Sequence, residues 1–482
     1  MNAGPSTAAG SAELRGEPPL VVDLDGTLCY SDTLWEALLL FLKHHFWQAW
    51  RLPLWLLLGK AGFKAALAGR IALDPGALPY DQTLQRELEH QRAQGRRLVL
   101  ATGADQRWAE RLAAHLGPFE QVLASAGGVN LTSRAKADAL VRLYGAHGYD
   151  YIGNSRADLA VWQSSRHAYS VTRKPFRLAD GRHTEHIGSV RPQPLAALWR
   201  AMRPRQWLKN LLVFVPMLAG HALNAGALAQ SLLAFAAFSL CASSAYLLND
   251  ALDAHDDRRH PDKRRRPLAA GTLPLPLALA ASPLLALGAF TLCALFDPLL
   301  LAVVGIYLAA TLAYSLRLKR MLMIDIVTLA LLYTVRILGG CAATLIAPSF
   351  WLLAFSFFVF LSLALLKRYS ELFNLHSRGQ DKSSGRGYTV ADKAPISIMG
   401  INSAFLSVLI FMLYFNSQTV LTMYRHPYFL LGIVPLLVFW LGRLWTLAFS
   451  GQVNEDPVLY VSRDKVSLTV LALCFGLALA AT

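Results

Sequence analysis

From about Arg200 to its end, the chain consists of apolar stretches of nearly twenty residues that follow one another. A helix of that length crosses the hydrocarbon layer of a bilayer, which is about 30 Å thick. We predict nine spans, at residues 209–223, 228–249, 273–294, 297–316, 322–345, 350–367, 397–419, 427–449 and 466–481. The first is the weakest, because Pro216 and Gly220 interrupt it. Residues 195–482 are therefore predicted to form an all-α polytopic membrane domain.

The charge of the chain agrees with this prediction. Charged residues make up 16% of the sequence and the net charge is +15, whereas soluble proteins carry about 25% charged residues. Lys and Arg gather in alternate loops between the predicted spans, which is typical of cytoplasmic loops. We therefore expect an integral protein of the cell (inner) membrane, with its N-terminal domain and active site in the cytoplasm and no nucleic-acid partner. Five widely spaced cysteines without a Cys-x-x-Cys pair predict neither disulfides nor a zinc site.

The N-terminal part has a different pattern. Residues 1–17 predict a disordered tail. From residue 18 to about 190, five short apolar runs alternate with charged helical stretches, at residues 20–24, 97–101, 121–124, 149–152 and 168–171. This alternation predicts an α/β domain with a parallel sheet wrapped by helices. The long interval between the first two strands, residues 29–96, is expected to contain an additional helical cap.

Residues 34–58 within that interval are rich in tryptophan, phenylalanine and leucine, but Lys43, Arg51 and Pro53 interrupt them. The segment is too broken to span a membrane. It predicts an amphipathic helical pair that either packs on the domain or dips into the membrane interface. The sequence leaves both alternatives open.

The first strand ends in Asp23-Leu24-Asp25-Gly26-Thr27, which places two carboxylates at the carboxyl edge of the sheet, where open α/β folds bind ligands. Such a pair suits phosphoryl transfer, with one carboxylate attacking phosphorus and the other serving as acid and base. Here the chain resembles the haloacid-dehalogenase-like (HAD) phosphatases. The resemblance implies that Asp23 is the nucleophile and Asp25 the acid/base, and that Thr102 and Lys136 hold the phosphoryl oxygens.

The fourth element of the HAD pattern departs from the family. Where members usually carry Gly-Asp-x-x-x-Asp, this chain has Gly153-Asn154-Ser155-Arg156-Ala157-Asp158. The resemblance implies a Mg²⁺ site formed by Asp23, Asp25, Asn154 and Asp158, which has one negative charge fewer than usual. We therefore expect weaker Mg²⁺ binding or reduced activity of this domain.

A second acidic motif lies where the second predicted span ends. Asn249, Asp250, Asp253 and Asp257 fall near one face of a helix. A basic run of Lys263, Arg264, Arg265 and Arg266 follows. Carboxylates at a lipid boundary require cations, and this combination suits Mg²⁺ that bridges a diphosphate, with guanidinium groups on its oxygens.

Asn-Asp-x-x-Asp-x-x-x-Asp followed by a basic Arg-Pro stretch resembles the UbiA-type intramembrane prenyltransferases, over about residues 195–482. The resemblance implies nine helices around a cavity that opens to lipid. In most members a second aspartate pair follows the sixth span. This chain has Lys367, Arg368 and Glu371 there, and then Tyr388. Cations in place of carboxylates predict a site that binds more anion and less metal.

With this replacement, the chain is similar to one UbiA branch, the decaprenyl-phosphate phosphoribosyltransferases. The resemblance implies transfer of a 5-phosphoribosyl group from phosphoribosyl pyrophosphate to a polyprenyl phosphate, with Asp250, Asp253 and Asp257 holding Mg²⁺ on the leaving pyrophosphate. Glu371, Tyr246 or Tyr388 would face the developing positive charge of the sugar. The candidate residues for substrate binding are Lys209, Tyr246, Asn249, Lys263, Arg264, Arg266, Lys319, Arg336, Lys367, Arg368 and Tyr388.

Two ionisable residues lie inside an apolar run. Asp325 is expected to be functional, or else a helix-end carboxylate paired with Lys319 or Arg320. Arg336, which lies deeper, is expected to need an acidic or phosphate partner.

Three hypotheses follow. The leading one joins a phosphoribosyltransferase to a phosphatase that removes the product's 5-phosphate. The alternative is a UbiA-type prenyltransferase that uses an isoprenyl diphosphate to alkylate an aromatic or other apolar acceptor. The absent second aspartate pair argues against the alternative. The third is a non-catalytic membrane anchor.

Overall fold

A computed structural model describes residues 17–117, 119–190, 193–377, 379, 381, 387–415, 417, 420, 423–453 and 456–482. The predicted tail, apart from Glu17, lies outside the described residues. The chain divides into two compact units. The first unit consists of Met1–Ala201 and Asp250–Leu279, and the second of Met202–Asn249 and Ala280–Thr482.

The first unit contains a parallel sheet of six strands. They are β1 (Leu20–Val22), β2 (Leu98–Asp105), β3 (Gln121–Ser125), β4 (Asp150–Gly153), β5 (Ala168–Ser170) and β6 (Glu185–His186), in the order β3-β2-β1-β4-β5-β6. The five predicted strands are confirmed, and the two-residue β6 was not predicted. Because all strands run parallel, their carboxyl ends meet at one edge.

Helices pack on both faces of this sheet. The helices of the first unit up to Ala201 are α1 (Thr33–His44), α2 (Arg51–Leu56), α3 (Gly59–Ala68), α4 (Gln82–Ala93), α5 (Gln106–Leu116), α6 (Arg134–Tyr144), α7 (Leu159–Ser164) and α8 (Pro194–Ala201). On β1, Val21 packs on one face with Leu140 and Trp162, while Leu20 and Val22 pack on the other face with α4. This alternation of buried side chains is what a strand covered on both sides requires.

The interval between β1 and β2 forms α1 to α4. Helix α4 packs against the sheet through Leu84 and Leu88, so it belongs to the core and the predicted cap is limited to α1, α2 and α3. Helices α1 and α3 pack on each other and on Trp108 through Phe41, Phe63 and neighbouring apolar residues. Residues 46–58, which connect them and include α2, expose most of their large apolar side chains. We call residues 46–58 the aromatic tip.

The second unit is helical. Its helices are α9 (Val215–Ala219), the first part of α10 (Ala225–Arg259), α11 (Leu275–Ala294), α12 (Pro298–Leu316), α13 (Ile324–Thr344), α14 (Phe350–Ser377), α15 (Lys393–Phe415), α16 (Ile433–Phe449), α17 (Pro457–Val461) and α18 (Lys465–Ala481). Residues 250–259 of α10 and 275–279 of α11 count with the first unit.

Among the described residues, seven helical segments are long and apolar enough to cross a membrane, and α18 is a shorter apolar helix of 17 residues. Eight of the nine predicted spans therefore correspond to apolar helices. The first predicted span, residues 209–223, does not form one long helix. It consists of the 3₁₀ segment Pro204–Phe214 and the five-residue α9, which contains Pro216 near its start. Proline removes a backbone donor and prevents a continuous α-helix at this point.

Candidate active sites

The first site lies at the carboxyl edge of the sheet, where β1 ends. The Nζ of Lys136, in the first turn of α6, lies 2.7 Å from Oδ1 of Asp23. Both side chains are at least nine-tenths buried. Lys136 also donates to the Tyr151 hydroxyl at 2.9 Å, and the Thr27 hydroxyl donates to Asp23 at 3.2 Å. The predicted nucleophile and the predicted phosphate-binding lysine are thus in contact.

Asp25 is held by the start of α1. Its two oxygens accept from the backbone N–H and the hydroxyl of Thr33, at 2.8 and 3.0 Å. Burial raises the pKa of Asp23 to about 6, although Lys136 acts in the opposite direction. Burial, with Asp32 nearby, raises the pKa of Asp25 well above its usual value. A carboxyl group in its protonated form can donate to a leaving group, and the acid/base role of Asp25 stays a prediction.

The remaining HAD residues are at the same edge. Thr102, at β2, is fully buried, and its hydroxyl accepts from the backbone of Ala104. The side chain of Asn154 lies against Gly26, where an added Cβ would be 2.1 Å from its Nδ2. Gly26 has a φ of +74°, which residues with a side chain rarely adopt. Its positive φ and the close approach of Asn154 both favour glycine at this position.

Asp158 anchors the loop after β4. Its Oδ1 accepts from the Tyr151 hydroxyl at 2.8 Å, and its Oδ2 accepts from the backbone N–H groups of Asn154 and Ser155, at 3.0 and 3.1 Å. Sequence reasoning missed Tyr151, which links Lys136 to Asp158. It also missed Lys64 of α3, which donates to the Gly103 carbonyl at 2.5 Å. The basic residues spaced along α3 were the signal that could have indicated Lys64.

A second acidic site lies in residues 250–266 of the first unit. The Nη1 of Arg266 lies 3.2 Å from Oδ1 of Asp250 and 2.6 Å from Oδ2 of Asp257. Both carboxylates are buried. Lys263 approaches the other oxygen of Asp257 at 4.0 Å. Two aspartates of the predicted motif and one arginine of the predicted basic run therefore meet as the sequence indicated.

The third aspartate of this motif points elsewhere. The Nζ of Lys43, near the end of α1, lies 2.9 Å from Asp253 and 2.8 Å from Asp256. In this structure Asp253 thus contacts a different cation from Asp250 and Asp257, and its role in holding a metal stays a prediction. Asp253 and Asp256 instead share a lysine of the cap, which sequence reasoning assigned no role. The long separation along the chain concealed this contact.

Among the described residues, no group of three or more His, Cys, Asp or Glu side chains is close enough to hold a metal ion. In both acidic sites a side-chain cation lies between carboxylates instead. Arg266 bridges Asp250 and Asp257, and Lys136 lies 2.7 Å from Asp23 and 3.9 Å from Asp158. Carboxylate oxygens gathered around one cation are the ligands that Mg²⁺ prefers, so both donor sets fit that ion chemically.

The second unit contains a cationic site. The Nζ atoms of Lys209 and Lys367 lie 2.7 and 3.0 Å from the same oxygen, Oδ2 of Asp456. Lys209 also lies 5.5 Å from the ring centre of Tyr333. Asp456 is the N-cap of α17, and Lys367 and Lys209 nearby hold its pKa below the usual range despite burial. Sequence reasoning missed Asp456, although an aspartate before a proline is a common N-cap signal.

A neighbouring cluster surrounds Arg368, which is fully buried. Its guanidinium contacts Asp325 at 2.6 Å, Glu371, and the Tyr314 hydroxyl at 3.1 Å. Asp325 also accepts from the Tyr388 hydroxyl. The alternative that pairs Asp325 with Lys319 or Arg320 is therefore wrong, since Arg368 is its partner. Asp325 thus joins Arg368 to Tyr388, and Glu371 contacts the same guanidinium.

Arg336 on α13 has neutral partners. It donates to the amide oxygen of Asn210 and to the Tyr307 hydroxyl, both at 2.8 Å, and to the Leu332 carbonyl. The expectation of an acidic or phosphate partner is thus not met by any of its described contacts. Its positive charge is buried and is not balanced by any of them.

The other predicted residues occupy varied positions. The ring of Tyr246 faces the guanidinium of Arg203 at 5.0 Å. Asn249 is half-buried, and Arg264 is exposed. Lys319 lies in a 3₁₀ turn after α12 and is half-buried. The substrate-binding roles of these four residues stay predictions.

Two parts of the chain match known protein families. Residues 213–462 match the UbiA prenyltransferase family, and residues 20–163 match the haloacid dehalogenase-like hydrolases. Seven apolar helices together with the first of these families indicate an integral membrane protein.

Relatives extend over different parts of the chain. An uncharacterized protein, y4nM of Sinorhizobium fredii, is 36% identical over 463 residues, which cover 94% of this chain and 89% of that protein. The nodulation protein NoeC of Azorhizobium caulinodans is 34% identical over 59% of this chain and 93% of its own length. The decaprenyl-phosphate phosphoribosyltransferase of Mycobacterium tuberculosis is 39% identical over 185 residues, 37% of this chain and 61% of that enzyme.

Proposed function

This chain belongs to the UbiA prenyltransferase family and carries an N-terminal HAD-like domain, and on that premise we propose that it transfers a 5-phosphoribosyl group to a polyprenyl phosphate. In this reaction the bond from the anomeric carbon to pyrophosphate breaks, and pyrophosphate leaves with the electron pair. A bond forms from that carbon to an oxygen of the lipid phosphate. The similarity to decaprenyl-phosphate phosphoribosyltransferases over 185 residues supports this choice of substrates.

The observation that carries the proposal is the excess of positive charge around Tyr333. Lys209 and Lys367 converge on one carboxylate oxygen of Asp456, and Arg336 lies 5.6 Å from the ring centre of Tyr333 with neutral partners. Three cations and one carboxylate leave an excess of two positive charges among these described contacts. Buried charge without a counterion is unfavourable, so this site favours an anionic ligand. A phosphate monoester meets that requirement.

The neighbouring cluster cancels half of this excess, which leaves one positive charge over the two clusters. Arg368 faces two carboxylates, Asp325 and Glu371, so that cluster contributes one negative charge. Taken together, the two clusters still contain four cations and three carboxylates. The alternative, a prenyltransferase that uses isoprenyl diphosphate, is disfavoured, because this chain has Lys367 and Arg368 where the family resemblance implies a second aspartate pair.

We assign the leaving pyrophosphate to the acidic site in the first unit. Asp250 and Asp257, with Asp253, would hold Mg²⁺, and Arg266 would bind phosphate oxygens through its forked guanidinium. When bound, Mg²⁺ supplies positive charge against the departing oxygen. Arg266 lies between the two carboxylates in this structure, so it would have to turn toward the substrate for these carboxylates to hold a metal.

The HAD-like domain is proposed to remove the 5-phosphate from the lipid-linked product. Asp23 attacks phosphorus, Asp25 protonates the leaving sugar oxygen, and water then releases phosphate from Asp23. Lys136 and Thr102 would hold the phosphoryl oxygens, and Asn154 and Asp158 would complete a Mg²⁺ site. We propose that this domain lies on the cytoplasmic side of the inner membrane, where phosphorylated sugars are available.

The transfer is tested with purified full-length protein in detergent. Labelled phosphoribosyl pyrophosphate and polyprenyl phosphate should give a labelled lipid, and Lys209→Met should weaken binding of the sugar phosphate, because it removes one of the two converging cations. Arg443→Met is the matched control, because Arg443 is also a cation paired with an N-cap aspartate, Asp464. Consumption of an isoprenyl diphosphate instead would overturn the proposal, and equal effects of both variants would remove the role of the lysine pair.

The phosphatase is tested on the same product. Wild-type protein should release the 5-phosphate, whereas Asp23→Asn should retain it at an unchanged rate of transfer. Asp180→Asn, an exposed position in the same unit, is the control. Phosphate release by Asp23→Asn at the wild-type rate would contradict the assignment.

A further inference from the structure

The aromatic tip, residues 46–58, is the most apolar exposed surface of the first unit. Its exposed fractions are 60% for Phe46, 84% for Trp47, 64% for Trp50, and 53%, 61%, 83% and 64% for Leu54, Leu56, Leu57 and Leu58. The helices on either side of it, α1 and α3, bury their apolar side chains in the domain. The tip therefore projects seven large apolar side chains from a well-packed base, which a surface facing only water would not favour.

The charges around the tip indicate what covers it. Between Glu36 and Asp74 the sequence contains no acidic residue, but it contains Lys43, Arg51, Lys60, Lys64, Arg70 and two histidines. The guanidinium of Arg51 lies 5.3 Å from the ring centre of Trp50. Tryptophan and leucine flanked by basic residues are the composition that enters the boundary between lipid headgroups and acyl chains of an anionic membrane.

The position of α1 supports the same partner. Lys43, three residues before the tip, contacts Asp253 and Asp256 within the first unit. These aspartates lie on α10, a helix long and apolar enough to span a membrane, and near its polar end. The end of a spanning helix lies close to the membrane surface.

We propose that the aromatic tip inserts into the headgroup region of the anionic leaflet on its own side of the membrane. At the other end of α1, Thr33 holds Asp25. Helix α1 has twelve residues and is therefore about 18 Å long. An inserted tip at one end of α1 would hold the Asp23 site, at the other end, roughly 18 Å from the lipid. The insertion is thus a membrane anchor for the phosphatase-like site rather than only a cap over it.

The test places nitroxide labels on the full chain in lipid nanodiscs that contain anionic phosphatidylglycerol. Labels are attached at Trp47→Cys and Leu57→Cys, in a Cys474→Ala background because the other four native cysteines are buried. Leu143→Cys is the matched control, an exposed leucine on α6 of the same unit. Collision of the labels with oxygen and with a water-soluble nickel chelate is measured.

We expect the labels at 47 and 57 to collide with oxygen more than with nickel, and the label at 143 to show the reverse. Neutral lipid should reduce this difference. Nickel access at 47 and 57 equal to that at 143 would overturn the proposal. Exclusion of both reagents would also overturn it, since that result indicates protein, such as a second copy of the chain, on the tip.

A functional test rests on the proposed phosphatase activity. A Trp47→Ser/Leu57→Ser variant should lose hydrolysis of the lipid-linked 5-phosphate but keep hydrolysis of a small soluble phosphate monoester. Equal hydrolysis of both substrates by this variant and the wild type would show that the tip does not serve the site. Absence of phosphatase activity in the wild type would instead contradict the proposed function alone, because the label measurement does not depend on activity.

Discussion

The two acidic sites of the first unit differ in how well local sequence predicted them. At the sheet edge, Asp23 and Lys136 meet although 113 residues separate them. On α10, Asp250 and Asp253 are close in sequence, yet they face different cations, Arg266 and Lys43. Parallel strands bring their carboxyl ends to one edge whatever the connections do. A helix distributes its side chains around an axis, so the packed neighbours decide which ones act together.

The largest expected effect comes from breaking the buried pair at the sheet edge. Lys136→Met should lower the free energy of unfolding by about 3 kcal/mol, because it leaves Asp23 buried without a counterion. Thermal unfolding of the full chain measures this, and Lys60→Met on the exposed part of α3 is the control. Adding Asp23→Asn should recover part of the loss. No recovery in the double variant would show that the pair is not the source of the cost.

The second effect separates the aspartates of α10. Asp250→Asn should reduce the transfer rate by about 10²-fold, the usual cost of losing one group that stabilises developing charge. Asp256→Asn, six residues along the same helix and outside the predicted motif, should cost much less. The rate of labelled lipid formation at saturating Mg²⁺ checks both. Equal losses would mean that the helix end acts as a single unit.

The third effect concerns Lys43. Lys43→Met should lower the Mg²⁺ concentration that half-saturates thermal stabilisation by about tenfold, or 1.4 kcal/mol, since the lysine competes with a metal for Asp253. Lys60→Met serves as the control, and the readout does not require activity. A higher Mg²⁺ requirement would indicate that Lys43 orients Asp253 and does not compete for it.

The smallest effect is the pH dependence of stability without divalent metal. The folded-state pKa of Asp23 is about 6, above the value of about 4 for an unfolded aspartate. The folded chain therefore retains a proton that the unfolded chain releases, and the resulting stabilisation is complete below pH 4 and lost as the pH rises through 6. Unfolding temperatures of the wild type relative to Asp23→Asn should show this decline. A difference that is constant from pH 4 to 8 would contradict the shift.

The fold was largely predictable because two patterns recur along the sequence. Short apolar runs alternate with charged helical stretches in the N-terminal part, and long apolar stretches follow one another in the rest. Five apolar runs gave the five longer strands, whereas β6 has only two residues and both are exposed, so it left no hydrophobic signal. The predicted span at 209–223 failed where Pro204 and Pro216 favour short helical segments. Average hydropathy does not register that backbone restriction.

The sites were predicted less completely. The resemblances to the two families predicted Asp23, Lys136, Asp257 and Arg266 as site residues, and the structure brings them together in two pairs. The resemblances did not indicate Asp456, whose importance depends on two lysines from other helices. They also assigned Arg368 to a ligand, whereas Asp325 and Glu371 neutralise it. Pairing between distant helices follows from tertiary packing, which local sequence does not encode.

The first unit is built from two separate stretches of chain, and this affects the order of its biosynthesis. Glu36 is almost fully buried, and its cationic partner is Arg258, which lies more than two hundred residues later. A ribosome releases the whole sheet, and then the apolar part of α10, before that arginine emerges. The nascent domain must hold a carboxylate without its partner until the membrane-insertion machinery has received its first long helix. The HAD-like domain therefore completes the Glu36–Arg258 ion pair only after the apolar part of α10 has been synthesised.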